Sequence, residues 1–242
     1  MTDVHHRHDQ RAAIGAVAVL NDNLRRAMFE FIRRERRPVT RDEAAAHVGI
    51  SRKLAAFHLD KLVEAGLLEA GVRPGTRRVG RAPKAYTATT ADLTVRIPAR
   101  HHDLLASILL DAVTEAEPGE QPADAAHRMA EQRGLTCGGL NRPTSGGGRI
   151  GAERALTHSE TVLTDNGYEP TRVTPTEVRL RSCPFHPVTA QAPALVCGMN
   201  HAFLTGVVAG LGAADVVDVL LEPREGECCV ELRAVQRPVT PR

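Results

Sequence analysis

The stretch VTRDEAAAHVGISRKLAAFHLDKLVEAGLLE, residues 39–69, constrains the fold more than any other part of the chain. Thr40 and Glu43 stand three residues apart at its head, the spacing of a capping box in which each side chain satisfies an orphan backbone donor of the other. The alanines 44–46 that follow permit a close helix crossing, and Gly49 supplies a turn residue able to take the left-handed conformation. Ser51 is a natural N-cap for a second helix, in which Ala55, Leu59 and Leu62 recur at helical spacing. Gly66 ends that helix before the apolar pair Leu67-Leu68. Upstream, residues 20–37 set Leu24, Met28, Phe31 and Ile32 on one helical face and arginines on the other, and Pro38 closes the segment. Helix, short helix, glycine turn, helix is the helix-turn-helix arrangement. Its second helix places Ser51, Arg52 and Lys53 where such a helix meets base edges in a major groove, with Lys61 further along.

The next segment reads as a β-hairpin over residues 67–89, whose long tip carries Arg73, Arg77, Arg78, Arg81 and Lys84. A basic hairpin after a recognition helix is a wing, suited to phosphates or a minor groove. Charge agrees with this: residues 1–90 hold 17 Lys/Arg against 10 Asp/Glu, whereas residues 91–242 hold 14 against 19. A basic front and acidic rear point to a polyanionic partner for the front alone. The pieces GISRKLAAFHLDKLVEAGLLE and GRAPKAYTAT resemble the winged-helix domain of ArsR/DeoR-like bacterial transcriptional regulators. The resemblance implies a homodimer that binds double-stranded DNA at a palindromic operator.

Three segments are expected: a winged-helix domain over 1–92, a connecting or dimerisation helix over 93–118, and a cysteine-containing α+β domain over 119–242. In the connecting segment Leu104, Leu105, Ile108, Leu109 and Val113 form a wide apolar stripe. A dimer interface and an ordinary intrachain helix are both compatible with it. A loop over 118–124 and a short helix over 124–133 should follow. Gly146, Gly148 and Gly151 satisfy G-x-G-x-x-G, but no apolar strand precedes them and no Lys-Ser/Thr pair follows, so the segment reads as a connection rather than a phosphate loop. The first residues, with His5, His6 and His8, read as a mobile polar tail. His58, on the second helix of the motif, reads as a packing or phosphate-contacting side chain. No apolar run reaches eighteen residues and no secretory leader is apparent, so a cytoplasmic protein with no membrane partner is expected.

Five cysteines at irregular spacing are not a secreted disulfide framework. A hairpin over 168–185 ends near Cys183, a helix over 193–212 starting at Pro193 carries Cys197 near its first turn, and a strand over 228–236 opens with the doublet Cys228-Cys229. Ends of this kind can converge on one rim of a sheet. Alternation puts Cys228 with Val230 and Leu232, and Cys229 with Glu231, so Cys228 is expected to point inward. Soft sulfur ligands suit iron–sulfur clusters, zinc or copper(I), and the C-x₂-C spacing of zinc fingers is missing.

The segment SCPFHPVTAQAPALVCGMNHAFLTGVVAGL followed by a late cysteine resembles the C-terminal region of SufR-type repressors, iron–sulfur sensors that control cluster-assembly genes. That resemblance implies an iron–sulfur cluster, [4Fe-4S] or [2Fe-2S], held by Cys183, Cys197 and Cys228. The fourth position is open to His186, Cys229, Cys137, His201 or a non-protein ligand. The alternative is a winged-helix regulator that senses zinc or a small molecule. An enzyme is not expected, since no Cys-His-Asp arrangement or phosphate loop is present.

Overall fold

Helices and two small antiparallel sheets build the chain, whose computed structural model describes residues 3–72, 83–90, 93–143 and 150–235, with side chains from Arg11 onward. The chain divides into two units, His5–Val95 and Arg96–Arg242 together with Met1–Val4. The boundary falls at the start of the segment expected to connect two domains.

The first unit opens with helix α1 (Asp3–Val19), so the backbone expected to be a mobile tail is helical. Its cause is the run AAIGAVAV, which buries Ala13 and Ala16 on one side. The side chains of His5, His6 and His8 lie outside the described residues. Helix α2 (Asn23–Glu35) is capped by Asp22, which accepts from the Arg25 amide at 2.9 Å, and it buries Met28 and Ile32. It stops where Arg36 turns left-handed at φ 49°, two residues ahead of Pro38. The segment is thus shorter than residues 20–37 at both ends, because Asp22 caps it at the front and the left-handed Arg36 stops it ahead of Pro38.

Strand β1 (Val39–Thr40) leads into α3 (Arg41–Val48) and α4 (Arg52–Glu64), followed by β2 (Leu68–Val72) and β3 (Lys84–Ala88). The sheet order is β1-β3-β2, with Val39 opposite Tyr86 and Ala70 opposite the same tyrosine from the other side. Met28, Ile32, Val39, Ala44, Leu59, Leu62 and Tyr86 form the core beneath the two motif helices. The capping box is present in full: the Thr40 amide donates to Glu43 Oε2 at 2.7 Å, and the Glu43 amide donates to Thr40 Oγ1. Hydrogen bonds from the Thr40 backbone and hydroxyl, helped by Arg37, hold the Glu43 carboxyl down to about 2, against an ordinary 4.5. A depressed carboxyl stabilises the fold above the ordinary value and loses that contribution as pH falls from 4.5 toward 2. Thr40→Ala should therefore cost about 1 kcal/mol in urea unfolding at neutral pH. Glu43→Gln should flatten the acid limb of the stability curve in that window.

In the second unit, α5 (His102–Thr114) packs on α6 (Pro122–Leu140), and α6 packs on α8 (Pro193–Gly210). Helix α7 (Ala152–Asp165) and α8 cover a four-stranded sheet ordered β4-β5-β7-β6, with β4 Pro170–Thr174, β5 Glu177–Leu180, β6 Val217–Leu221 and β7 Val230–Ala234. Every pairing is antiparallel, which makes the architecture α+β. Helix α6 is a correction. The expected short helix runs on to Leu140 through Cys137, Gly138 and Gly139, because glycines placed against a partner helix do not end a helix.

The reason is a backbone-to-backbone crossing. A Cβ on Gly134 would lie 1.9 Å from the carbonyl oxygen of Phe203, and one on Gly138 would lie 2.1 Å from that of Val207. From the other side, Cβ atoms on Gly206 and Gly210 would lie 2.1 Å from Glu131 O and 2.3 Å from Leu135 O. Helix α8 has the length and apolarity of a membrane-crossing segment, yet half of that stretch is buried inside the protein. Met199, Phe203, Leu204 and Val207 on it belong to the core.

Candidate functional site: the recognition helix and the thiol cluster

Helix α3 ends at Gly49, left-handed at φ 70°, and its N–H returns to Ala45 O. Two residues later Ser51 caps α4 by accepting from the Leu54 amide at 3.3 Å. This turn swings the first turn of α4 into solvent: Ser51, Arg52, Lys53 and Leu54 are all exposed. Behind them Ala55, His58, Leu59 and Leu62 are buried. His58 is thus a packing side chain rather than a phosphate contact, with 6 % of its surface exposed.

The cations of this face are partly engaged. Arg52 Nε meets Asp42 at 3.0 Å, Lys61 meets Glu64 at 2.7 Å, and Lys84, at the foot of the wing, meets Asp60 of α4 at 3.0 Å. Lys84 also lies 5.3 Å from the centre of the Tyr86 ring. Its pKa is raised, chiefly by the hydrogen bond to Asp60. These exposed pairs are weak and exchange readily for phosphate. They also neutralise three carboxylates that would otherwise repel a polyanion. Arg77, Arg78 and Arg81, with Arg73, lie outside the described residues, as do Gly146 and Gly148. Gly151 is the N-cap of α7.

In the second unit, four of the five cysteines are brought together, from three chain segments. Cys183 follows β5 and Cys197 lies early in α8. Cys228 and Cys229 lead into β7, with the Cys228 amide donating to Leu180 O at 2.8 Å and Cys229 O accepting from the Glu222 amide at 2.8 Å. Thiol interactions link Cys183 with Cys228, Cys228 with Cys229, and Cys229 with Cys197 in a chain. They split the thiols. The hydrogen bond with Cys228 lowers Cys183, against burial, and backbone donors at Phe185 and His186 add to it. Cys229 is lowered to about 6, first by its bond with Cys228. Cys228 itself is raised, by its bonds to Cys183 and Cys229 and by burial. Burial pushes Cys197 up to about 12.

The choice between the doublet residues needs correction. Cys228 and Cys229 are both buried and both join the chain, because β7 begins only at Val230 and alternation does not reach back to them. Alternation also fails within the strand. Glu231 is 2 % exposed, buried under Arg179, Arg224 and Arg233. Among the candidates for a fourth position, His201 Nε2 is engaged with Val219 O at 3.0 Å, and His186 is exposed. Cys137 lies on α6, its sulfur 3.6 Å from Asn166 Nδ2.

Sequence reasoning missed the polar support beneath the thiols. Asn200, fully buried, donates from Nδ2 to Cys228 Sγ at 3.1 Å, and its Oδ1 accepts from the Tyr168 hydroxyl at 2.5 Å. The phenol thereby fixes the amide so that its N–H₂ faces sulfur. The signal was available: an asparagine in a largely apolar helix, three residues after Cys197. Burial, reinforced by the neighbouring thiols, raises the Tyr168 pKa well above its ordinary value, so the hydroxyl remains a donor. Asn200→Leu should cost about 1–3 kcal/mol by leaving the Tyr168 hydroxyl buried without a partner. In a double-mutant cycle by urea unfolding, Tyr168→Phe added to Asn200→Leu should cost less than the two single changes summed.

Among the described residues, no group of three or more His, Cys, Asp or Glu is arranged to hold a single metal ion. No curated protein and no solved structure is significantly similar to the chain. Residues 20–70, spanning α2 to β2, match a family model described as a helix-turn-helix domain. The chain therefore carries a helix-turn-helix domain, which points to a DNA-binding transcriptional regulator.

Proposed function

We propose that the protein is a cytoplasmic, homodimeric repressor of iron–sulfur assembly genes whose operator binding is governed by an iron–sulfur cluster on Cys183, Cys197 and Cys228. Cys229 is the fourth ligand of this reading. The observation that carries it is the thiol chain joining three chain segments in the unit that follows the helix-turn-helix domain. Four cysteine sulfurs suit a cluster. Asn200 donates to the sulfur side of the pocket, the kind of hydrogen bond that tunes a bound cluster. Bound there, a cluster supplies oxygen sensitivity and a charge that differs from that of the free thiols.

The protein's own part is mechanical. Filling or emptying the pocket changes the spacing of the β5 end, the α8 start and the β7 start. A coupling of about 1–3 kcal/mol suffices for a 5–150-fold change in DNA affinity. A dimer fits the exposed outer face of α5, where Leu110 and Val113 are 64 % and 78 % exposed, and two subunits place one recognition helix in each half-site.

Anaerobic purification tests the cofactor. Visible charge-transfer absorption with matching iron and sulfide supports the reading, and a colourless protein with one zinc per chain supports the alternative. For DNA, Arg52→Ala with Lys53→Ala should weaken binding to a selected operator by tenfold or more, at about 1–3 kcal/mol per base contact. Binding to random duplex should weaken less. Equal losses on both would mean that these residues touch phosphate only.

A further inference from the structure

The exposed face of α4 is not purely polar. Leu54 is 42 % exposed and Phe57 is 54 % exposed, one helical turn apart, between Lys53 and Lys61 on the same face. Phe57 has the His58 ring edge-on at 5.5 Å, and more than half of its surface remains open. Isolated exposed apolar residues are ordinary. Here two large ones occupy successive turns of the helix that a helix-turn-helix domain inserts into DNA, flanked by cations that complement phosphate. In the major groove the one apolar feature on a base edge is the C5-methyl group of thymine, and phenylalanine is among the side chains that contact it.

We infer that Phe57, assisted by Leu54, reads thymine methyl groups in the operator half-site. The inference rests on the DNA-binding reading and adds to it a specificity determinant that acts by apolar contact rather than by hydrogen bonding. Arg52 and Lys53 at the helix N-terminus supply polar readout, while Phe57 selects thymine a base pair or two further along the groove.

The test uses the full chain. Duplexes are selected from a random library, and each thymine of the preferred half-site is then replaced singly by deoxyuridine, which removes the methyl and leaves every hydrogen-bonding group in place. At one or two positions the wild type should lose about fourfold in affinity, the equivalent of one buried methyl group. Phe57→Ala should bind the thymine and uracil duplexes equally, with its thermal unfolding unchanged. Phe57→Leu should retain part of the discrimination. Uniform indifference of the wild type to thymine replacement, or the same loss in Phe57→Ala, would overturn the inference while leaving DNA binding intact. A change of oligomeric state in Phe57→Ala would place the side chain in a protein contact and also overturn it. If the wild type selects no duplex at all, the DNA-binding reading itself fails.

Discussion

Gly134→Ala is expected to leave the second unit unfolded or molten under conditions where the wild type is fully native. The new methyl carbon would sit 1.9 Å from the carbonyl oxygen of Phe203 and 2.9 Å from the Val207 nitrogen. Both are backbone atoms of a helix, so neither can swing aside as a side chain would. Relief requires α6 and α8 to separate along their whole crossing, which opens the core holding Met129, Met199, Phe203 and Val207. Overpacking of an ordinary core costs about 1–3 kcal/mol. With no rotamer to yield, about 4 kcal/mol or more is expected, in the range few single substitutions reach. Gly206→Ala should behave alike, since its added carbon meets Glu131 O at 2.1 Å. Gly139→Ala is the internal control: the same helix, nothing within 4 Å of the added carbon, and a stability equal to or slightly above that of the wild type. Thermal unfolding followed by near-ultraviolet circular dichroism separates the three. A cooperative transition for Gly134→Ala within a few degrees of wild type would mean that the helices do not touch as described.

The second large effect concerns the thiols. On the proposed cluster reading, Cys197→Ser and Cys229→Ser should each abolish bound iron and visible colour in anaerobically purified protein, with helical content retained. Cys137→Ser should retain both, because the proposed ligand set does not include this thiol, whose sulfur lies beside Asn166. Loss of colour in all three would signal general destabilisation rather than ligand loss. Retention in Cys229→Ser would remove that residue from the ligand set and reopen the fourth position.

The DNA-facing motif was readable from sequence because its determinants are local. The Thr40–Glu43 box, Gly49 and the Ser51 cap act within a few residues, and each appears in the structure with the expected partner. The hairpin around Pro175 and the helix opening at Pro193 were legible for the same reason. Longer-range features were not. The length of α6 depends on glycines whose purpose is visible only once α8 lies against them. The burial of Glu231 depends on three arginines, two of them from other segments. Helix α1 was missed because its small residues carry a weak apolar pattern beside a histidine-rich start. The burial of Cys229 was hidden by extending strand alternation two residues beyond the strand.

The glycine crossing has a bearing on how a signal could leave the thiol pocket. Cys197 sits near the start of α8, and α8 is locked against α6 at four points where main chain meets main chain. Close main-chain contact of this kind resists independent bending or sliding, so in the proposed sensor a shift at the sulfur end would be carried by the pair together. Arg133 of α6 meets Asp111 of α5 at 2.5 Å, which ties the next helix to the same movement. In the proposed sensor, the outer surface of α5, with its uncovered leucine and valine side chains, would lie at the far end of a lever whose short arm is a cysteine.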